Sequence, residues 1–183
     1  MPRGPRNMNA NGFYHITSRG NKKAEIFHDT SDYEMFMRLL LRCRCEFSTS
    51  IFHYMLMPNH IHLEMRPNND LSSKFMQKLK SIYAMYYGAK YGTVGHVWEG
   101  RFKSKHITTD AHLLACGNYI EMNPVRARLA RHPGDWPYSS YHFYAKGAND
   151  QIVEQNLLYG SFGISDEIRR TTYAKQVATT RSI

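Results

Sequence analysis

The run "STSIFHYMLMPNHIHLEMRP", residues 48–67, constrains the fold more than any other stretch of the chain. "STSIFHYMLM" reads as a strand, Pro58-Asn59 as a turn, and "HIHLEMR" as a strand folding back on the first. Side chains alternate across a strand, so His60, His62, Glu64 and Arg66 share one face. Ile61, Leu63 and Met65 share the other and can enter a core. A helical pattern flanks this hairpin on each side. Upstream, "YEMFMRLLLRCRCEF" places Met35, Phe36, Leu39, Leu40 and Cys43 along one side, and Ser31-Asp32-Tyr33-Glu34 has capping-box spacing. Downstream, "LSSKFMQKLKSIYAMYYGAKYG" predicts a long helix burying Phe75, Leu79, Ile82 and Tyr86, ended by Gly92 or Gly95.

Outside these helices lie two more strands. Residues 12–20 alternate Phe13, His15 and Thr17 against Tyr14, Ile16 and Ser18, and "HVWEGRFKSKHI", residues 96–107, reads as the fourth strand. A third helix, "DAHLLACGNYIEMN", is N-capped by Thr109 or Asp110 and stopped at Pro124. The order β-α-β-β-α-β plus a helix is that of an α+β, ferredoxin-like split βαβ sandwich with an antiparallel sheet. The extra helix then packs across the open face of the sheet. The division expected is a basic flexible arm over residues 1–11, one domain over 12–144, and a tail over 145–183 with a polar linker, "KGAND", and two helical segments.

A net charge of +9 and a pI of about 9.5 favour a polyanionic partner, and nucleic acid is the commonest. No apolar run reaches the roughly 18 residues of a membrane span. The N-terminus has no apolar signal core, and three cysteines without a CxxC pair fit a reducing cytoplasm.

Three constellations carry chemistry. Two imidazoles at i and i+2 can grip one cation, or be two polar surface histidines. Tyr119 and Asn123, at i and i+4, project from one helix face. They offer a hydroxyl nucleophile and an amide ligand, or a buried aromatic and a helix C-cap. Arg101, Lys103 and Lys105 alternate onto one strand face, where they suit a phosphate backbone or guard a sheet edge. Arg3 and Arg6 add to the positive field.

Taken together, "MPNHIHLEM" resembles the histidine–hydrophobic–histidine (HUH) motif of single-tyrosine transposases, and "YIEMNPVRARL" resembles their tyrosine helix. "YHITSRGNKKAEIF", "GHVWEGRFKSKHI" and "DWPYSSY" are similar to blocks of one branch, the REP-associated tyrosine transposases. The likeness runs from about residue 12 to about residue 144. It implies a ferredoxin-like fold, a divalent cation (magnesium or manganese) held by His60, His62 and Asn123, and Tyr119 as nucleophile. Many relatives carry glutamine in place of Asn123, so the shorter arm requires a closer helix. The implied substrate is single-stranded or hairpin DNA, cut through a 5′-phosphotyrosine. Arg101, Lys103, Lys105, Arg3 and Arg6 are the expected DNA contacts. A monomer is expected rather than a homodimer, with no membrane association. The alternative is a non-catalytic DNA-binding protein derived from a transposase. A histidine-triad hydrolase would need a third histidine where Glu64 stands.

Overall fold

The computed structural model describes residues 8–9, 12–68 and 72–180. Strands β1 (Phe13–Arg19), β2 (Ser50–Met57), β3 (His60–Arg66) and β4 (Lys103–Ile107) form one antiparallel sheet in the order β2-β3-β1-β4. Helix α1 (Thr30–Glu46) connects β1 to β2 and α2 (Ser72–Tyr91) connects β3 to β4. This is the ferredoxin-like arrangement, and it follows from the alternation in the strands. Ile16, Leu56, Ile61, Leu63 and Met65 are fully buried against Phe36, Leu40, Phe75 and Leu79 of the two helices. Each such side chain contributes on the order of 1.5–3 kcal/mol by leaving water.

The register places Thr17 opposite His62, Arg19 opposite His60, and Lys103 opposite Thr17. Cross-strand partners share a face, so β1, β3 and β4 together present His15, Thr17, His60, His62 and Lys103 on the side away from α1 and α2. Helix α3 (Asp110–Glu121) crosses that side, as its sequence position required. Thr109 is its N-cap, accepting from the His112 backbone N–H. A small second core, with Met55, Met57, Ile107, Leu113, Cys116 and Ile120, holds it there.

Several expectations shift in detail. The cap of α1 is Asp29, two residues before Ser31, and its box partner is Asp32. That register buries Asp32 under the end of α2, where Lys90, Tyr86 and Tyr91 reach its carboxylate. The buried stripe of α2 is Phe75, Met76, Leu79 and Tyr83, while Ile82 and Tyr86 are only half-buried. Strand β4 starts seven residues later than its sequence suggests, at Lys103 rather than His96. Pairing with β1 begins around Trp98, through Glu99 N–H to Arg19 O, but Gly100 takes a positive φ of 69° and breaks the ladder. Arg101 therefore lies off the strand that carries Lys103 and Lys105.

Beyond α3 come α4 (Asn123–Arg126), α5 (Tyr141–Lys146) and α6 (Asp166–Thr179). Residues 138–140 line the outer edge of β2, with Leu56 N–H on Tyr138 O and Ser140 N–H on Tyr54 O. Ile152, Val153, Tyr159, Phe162, Tyr173 and Val177 join the main core, so the segment after residue 145 packs back onto the domain. At the other end, Met8 is buried in the same core. Among the described residues no helix is long and apolar enough to cross a membrane.

Candidate active site

The two histidines of β3 point to the same side of the sheet, their ring centroids 4.9 Å apart. Each is oriented through Nδ1. His60 Nδ1 meets Asn59 Oδ1 at 2.6 Å, and His62 Nδ1 meets His15 Nε2 at 2.9 Å. Both contacts engage Nδ1 and not Nε2. His62 Nε2 is buried with no hydrogen-bond partner. An orphaned polar atom of that kind costs about 1–3 kcal/mol, and a ligand removes the cost. Burial pushes His15 and His60 down to about 4 and His62 well below the usual imidazole range. Neighbouring Lys105 adds to this at His15, Arg19 at His60, and the other histidines at His62. Burial therefore favours the neutral imidazole at all three, the form that binds metal.

Tyr119 sits at the C-terminal end of α3, directly over this pair. Its ring stands edge-on to His15 and to His62, each at a centroid distance of 5.9 Å. It is 41% exposed, so a substrate can reach it. The Arg126 guanidinium lies 4.8 Å from the ring centroid on its face. The helix ends two residues later, and Pro124 occupies the first turn of α4, where a missing N–H is harmless. Asn123 bridges the joint. Its Nδ2 donates to Tyr119 O at 2.9 Å and Ile120 O at 3.1 Å. The amide nitrogen thus caps α3 and leaves Oδ1 as the acceptor atom. Among the described residues no group of three or more His, Cys, Asp or Glu side chains is arranged to hold an ion. Asn123 lines the same cleft as His60 and His62 and offers an amide oxygen beside them. The donor set of two neutral imidazoles and one amide oxygen fits a small divalent cation that keeps water or phosphate oxygens for its remaining positions.

His60, His62, Tyr119 and Asn123 line one cleft of about 630 Å³, and Arg101 and Lys103 form part of its wall. Lys105 is exposed one pair further along β4, opposite His15, and does not line the cleft. Arg3 and Arg6 lie outside the described residues. Glu64 shares the histidine face but is fully buried beneath α3, with Asn156 Nδ2 on one oxygen and no partner for the other. Burial raises its carboxyl to about 7 against the opposing pull of His53.

The tyrosines of α2 are occupied elsewhere. The Tyr83 hydroxyl donates to Ile26 O, Tyr86 and Tyr91 bind Asp32, and Tyr87 contacts His28. None of these four lines the cleft.

The sequence model of the family described as "Transposase IS200 like" matches residues 9–123, a span that ends on Asn123. The chain belongs to this transposase family. It is 23% identical over 133 residues to the REP-associated tyrosine transposase of Escherichia coli strain K12, covering 71% of this chain and 75% of that protein. A second relative, from Haemophilus influenzae and named provisionally to the same class, is 33% identical over 99 residues, covering 48% of this chain and 56% of its own. The solved structure of a REP-associated tyrosine transposase bound to a REP hairpin superposes with a TM-score of 0.68 at 20% identity. It covers 86% of this chain and 93% of that one, which shows a common fold.

Sequence reasoning missed four members of the transposase cleft or its supports: His15, Asn59, Arg126 and Glu121. His15 was visible only as an outward position on β1. Asn59 read as a turn residue, and Arg126 stood inside "YIEMNPVRARL" with no role of its own. Glu121 carried no signal, because its role appears only once α3 is laid against β2.

Proposed function

We propose that this transposase cleaves and rejoins single-stranded DNA, at a REP-like hairpin, through a 5′-phosphotyrosine on Tyr119. His60, His62 and Asn123 would hold a divalent cation, magnesium or manganese. Bound there, that cation supplies charge withdrawal from a non-bridging phosphate oxygen and a fixed orientation for the phosphate. The observation that supports the reading best is the position of Tyr119, half-exposed and edge-on to His62 at 5.9 Å, with the Asn123 amide one helical turn away.

The residues of the chain divide the work. Arg101 and Lys103 on the cleft wall attract the phosphate backbone. Arg126 holds the Tyr119 ring and places positive charge over its face. The Tyr119 oxygen attacks phosphorus, forming one P–O bond while the bond to the 3′-oxygen breaks. The phenol loses its proton and the departing oxygen gains one, leaving a 5′-phosphotyrosine and a free 3′-hydroxyl. The 3′-hydroxyl of another end reverses the exchange and restores the tyrosine. One phosphodiester-type bond exists at every stage, so no nucleotide cofactor is required. Tyr119 lies against histidines of its own chain, the arrangement a monomer acting in cis requires.

The test is incubation of the full chain with single-stranded oligonucleotides from the DNA flanking its gene, with manganese or magnesium, followed by a denaturing gel. Wild type should give a covalent adduct. Tyr119→Phe removes one oxygen and should bind DNA normally but give none. An adduct that persists in that variant defeats the assignment. No adduct from wild type with any flanking strand would favour the non-catalytic DNA-binding protein.

A further inference from the structure

Opposite Tyr119 on α3 stands a group that the chemistry above does not use. Glu121 is the last residue of the helix and is fully buried. Residues two apart on a helix point to nearly opposite sides. Tyr119 therefore faces the cleft over β1 and β3, while Glu121 faces β2. Its carboxylate meets three partners from three separate segments. His53 Nδ1 of β2 lies 3.0 Å from Oε1, and Ser140 Oγ, just before α5, donates to the same oxygen at 2.7 Å. The Tyr173 hydroxyl of α6 donates to Oε2 at 2.7 Å. Those three are themselves fixed. Ser140 Oγ accepts from Tyr54 N–H, and the Tyr173 ring packs on Tyr144 at 5.1 Å. Burial disfavours a charged His53, but Glu64 and Glu121 outweigh it and raise its pKa. One turn earlier on the same flank, a Cβ on Gly117 would fall 2.6 Å from His53 Nε2, so the helix seats on β2 only because that position is glycine.

We infer that Glu121, clamped by His53, Ser140 and Tyr173, is a positioning residue that sets the end of α3, and with it Tyr119 and Asn123, against His60 and His62. The inference rests on the proposed tyrosine chemistry and extends it to the C-terminal segment. Only the Tyr173 hydroxyl of α6 enters this clamp, as one of the three donors. A buried carboxylate is a precise anchor. Its partners lie in fixed directions, and apolar packing alone would let the helix slide. The nearby second core is much smaller than the main one, so apolar contacts there constrain the helix end less than they constrain α1 and α2.

The test compares three variants of the full chain by the rate of adduct formation with the flanking oligonucleotide and manganese, and by affinity for the same oligonucleotide. Tyr173→Phe removes only the donor to Glu121. Ser140→Ala removes a second donor and leaves α6 intact. Val177→Ala loosens α6 packing at a fully buried site without touching Glu121. The expected result is a fall in adduct rate of roughly 10–100-fold for the first two, the effect of a sub-ångström to ångström misplacement of a reacting group. Affinity should stay within about twofold, and the Val177→Ala rate should be normal below its unfolding temperature. Two outcomes overturn the inference while leaving the tyrosine chemistry intact. One is an unchanged rate in both Tyr173→Phe and Ser140→Ala. The other is a loss in Val177→Ala that matches theirs, which would make the effect one of stability. A wild type that forms no adduct removes the underlying reading, and the inference with it.

Discussion

The two faces of one sheet divide stability from chemistry. Toward α1 and α2, the strands present Ile16, Leu56, Ile61, Leu63 and Met65, all without exposure. Toward α3, the intervening residues of the same strands include His15, Thr17, His53, His60, His62 and Glu64, with Met55 and Met57 the apolar exceptions that seat the helix. Buried polar groups there are costly. Glu64 Oε2 and His62 Nε2 have no partner. A sheet that faced α3 alone would be poorly stable. The apolar face offsets that cost, and the period of two lets every strand serve both. Function is therefore written on alternate residues, and neighbours in sequence should respond oppositely to the same substitution.

The sharpest way to break this contrast uses adjacent residues. His62→Ala should eliminate adduct formation and manganese binding, read by gel and by titration of the metal's paramagnetic signal. It should cost less stability than a core truncation, because Nε2 has no partner inside the protein and the ring lines the cleft, so only the Nδ1 contact with His15 is lost. Leu63→Ala should do the reverse. It opens a cavity in a fully buried site and should cost about 2–5 kcal/mol in urea denaturation, with metal binding intact in the folded fraction. If His62→Ala unfolds the protein as readily as Leu63→Ala, the two faces are not functionally distinct.

That contrast also explains what was legible in the sequence. The alternation in "HIHLEMR" was enough to separate His60 and His62 from Ile61 and Leu63, because strand geometry is local. The pairing of Tyr119 with Asn123 was legible for the same reason, as one turn of helix. The boundary of β4 was not, since Gly100 breaks the ladder at a position whose composition still reads as strand. The sequence reading places the cap of α1 two residues late: Ser31–Glu34 and Asp29–Asp32 both have box spacing, and the observed Asp29–Asp32 box is met by Lys90, which lies 58 residues from Asp32. His15 and Glu121 belong to the same class: each acts through a partner on another element, and no window of sequence holds both. Asn59 differs, since its partner His60 is the next residue and only the turn geometry brings the two side chains together.

On the apolar side, charge appears at the rim, and it should govern acid stability. Burial alone raises Asp32, but Lys90, the His28 backbone N–H, Tyr91 and Tyr86 outweigh it and leave its pKa lowered. A carboxyl lowered in the folded state contributes stability above its unfolded value, near 3.9, and loses it as pH falls through the folded pKa. Asp32→Asn should therefore lower stability by roughly 2 kcal/mol at pH 7, below the usual cost of breaking a buried pair because Lys90 keeps some solvent contact. The gap between variant and wild type should close as pH drops below the unfolded value. Denaturation curves across that window check the sign. A gap that widens in acid would mean that Asp32 is not the acceptor of Lys90 in solution. Adduct formation at neutral pH should be unaffected in the folded fraction, since this cluster lies on the opposite layer from the cleft.

The smallest expected effect tests where the functional face ends. Lys103 and Lys105 are both exposed on β4, and both project to the histidine side. Only Lys103 lines the cleft. If phosphates follow the cleft, Lys103→Ala should flatten the dependence of log affinity on log salt by about 0.7 for single-stranded DNA, the release of one counterion. Lys105→Ala should leave that slope nearly unchanged and lower the intercept only slightly, through the general field. Arg101→Ala should behave as Lys103→Ala does, because the Gly100 break brings Arg101 to the same wall. Equal changes for Lys103 and Lys105 would instead mean that the strand itself, and not the cleft, is the track of the DNA. No change for either would return both lysines to guarding the exposed edge of β4 against unwanted strand pairing.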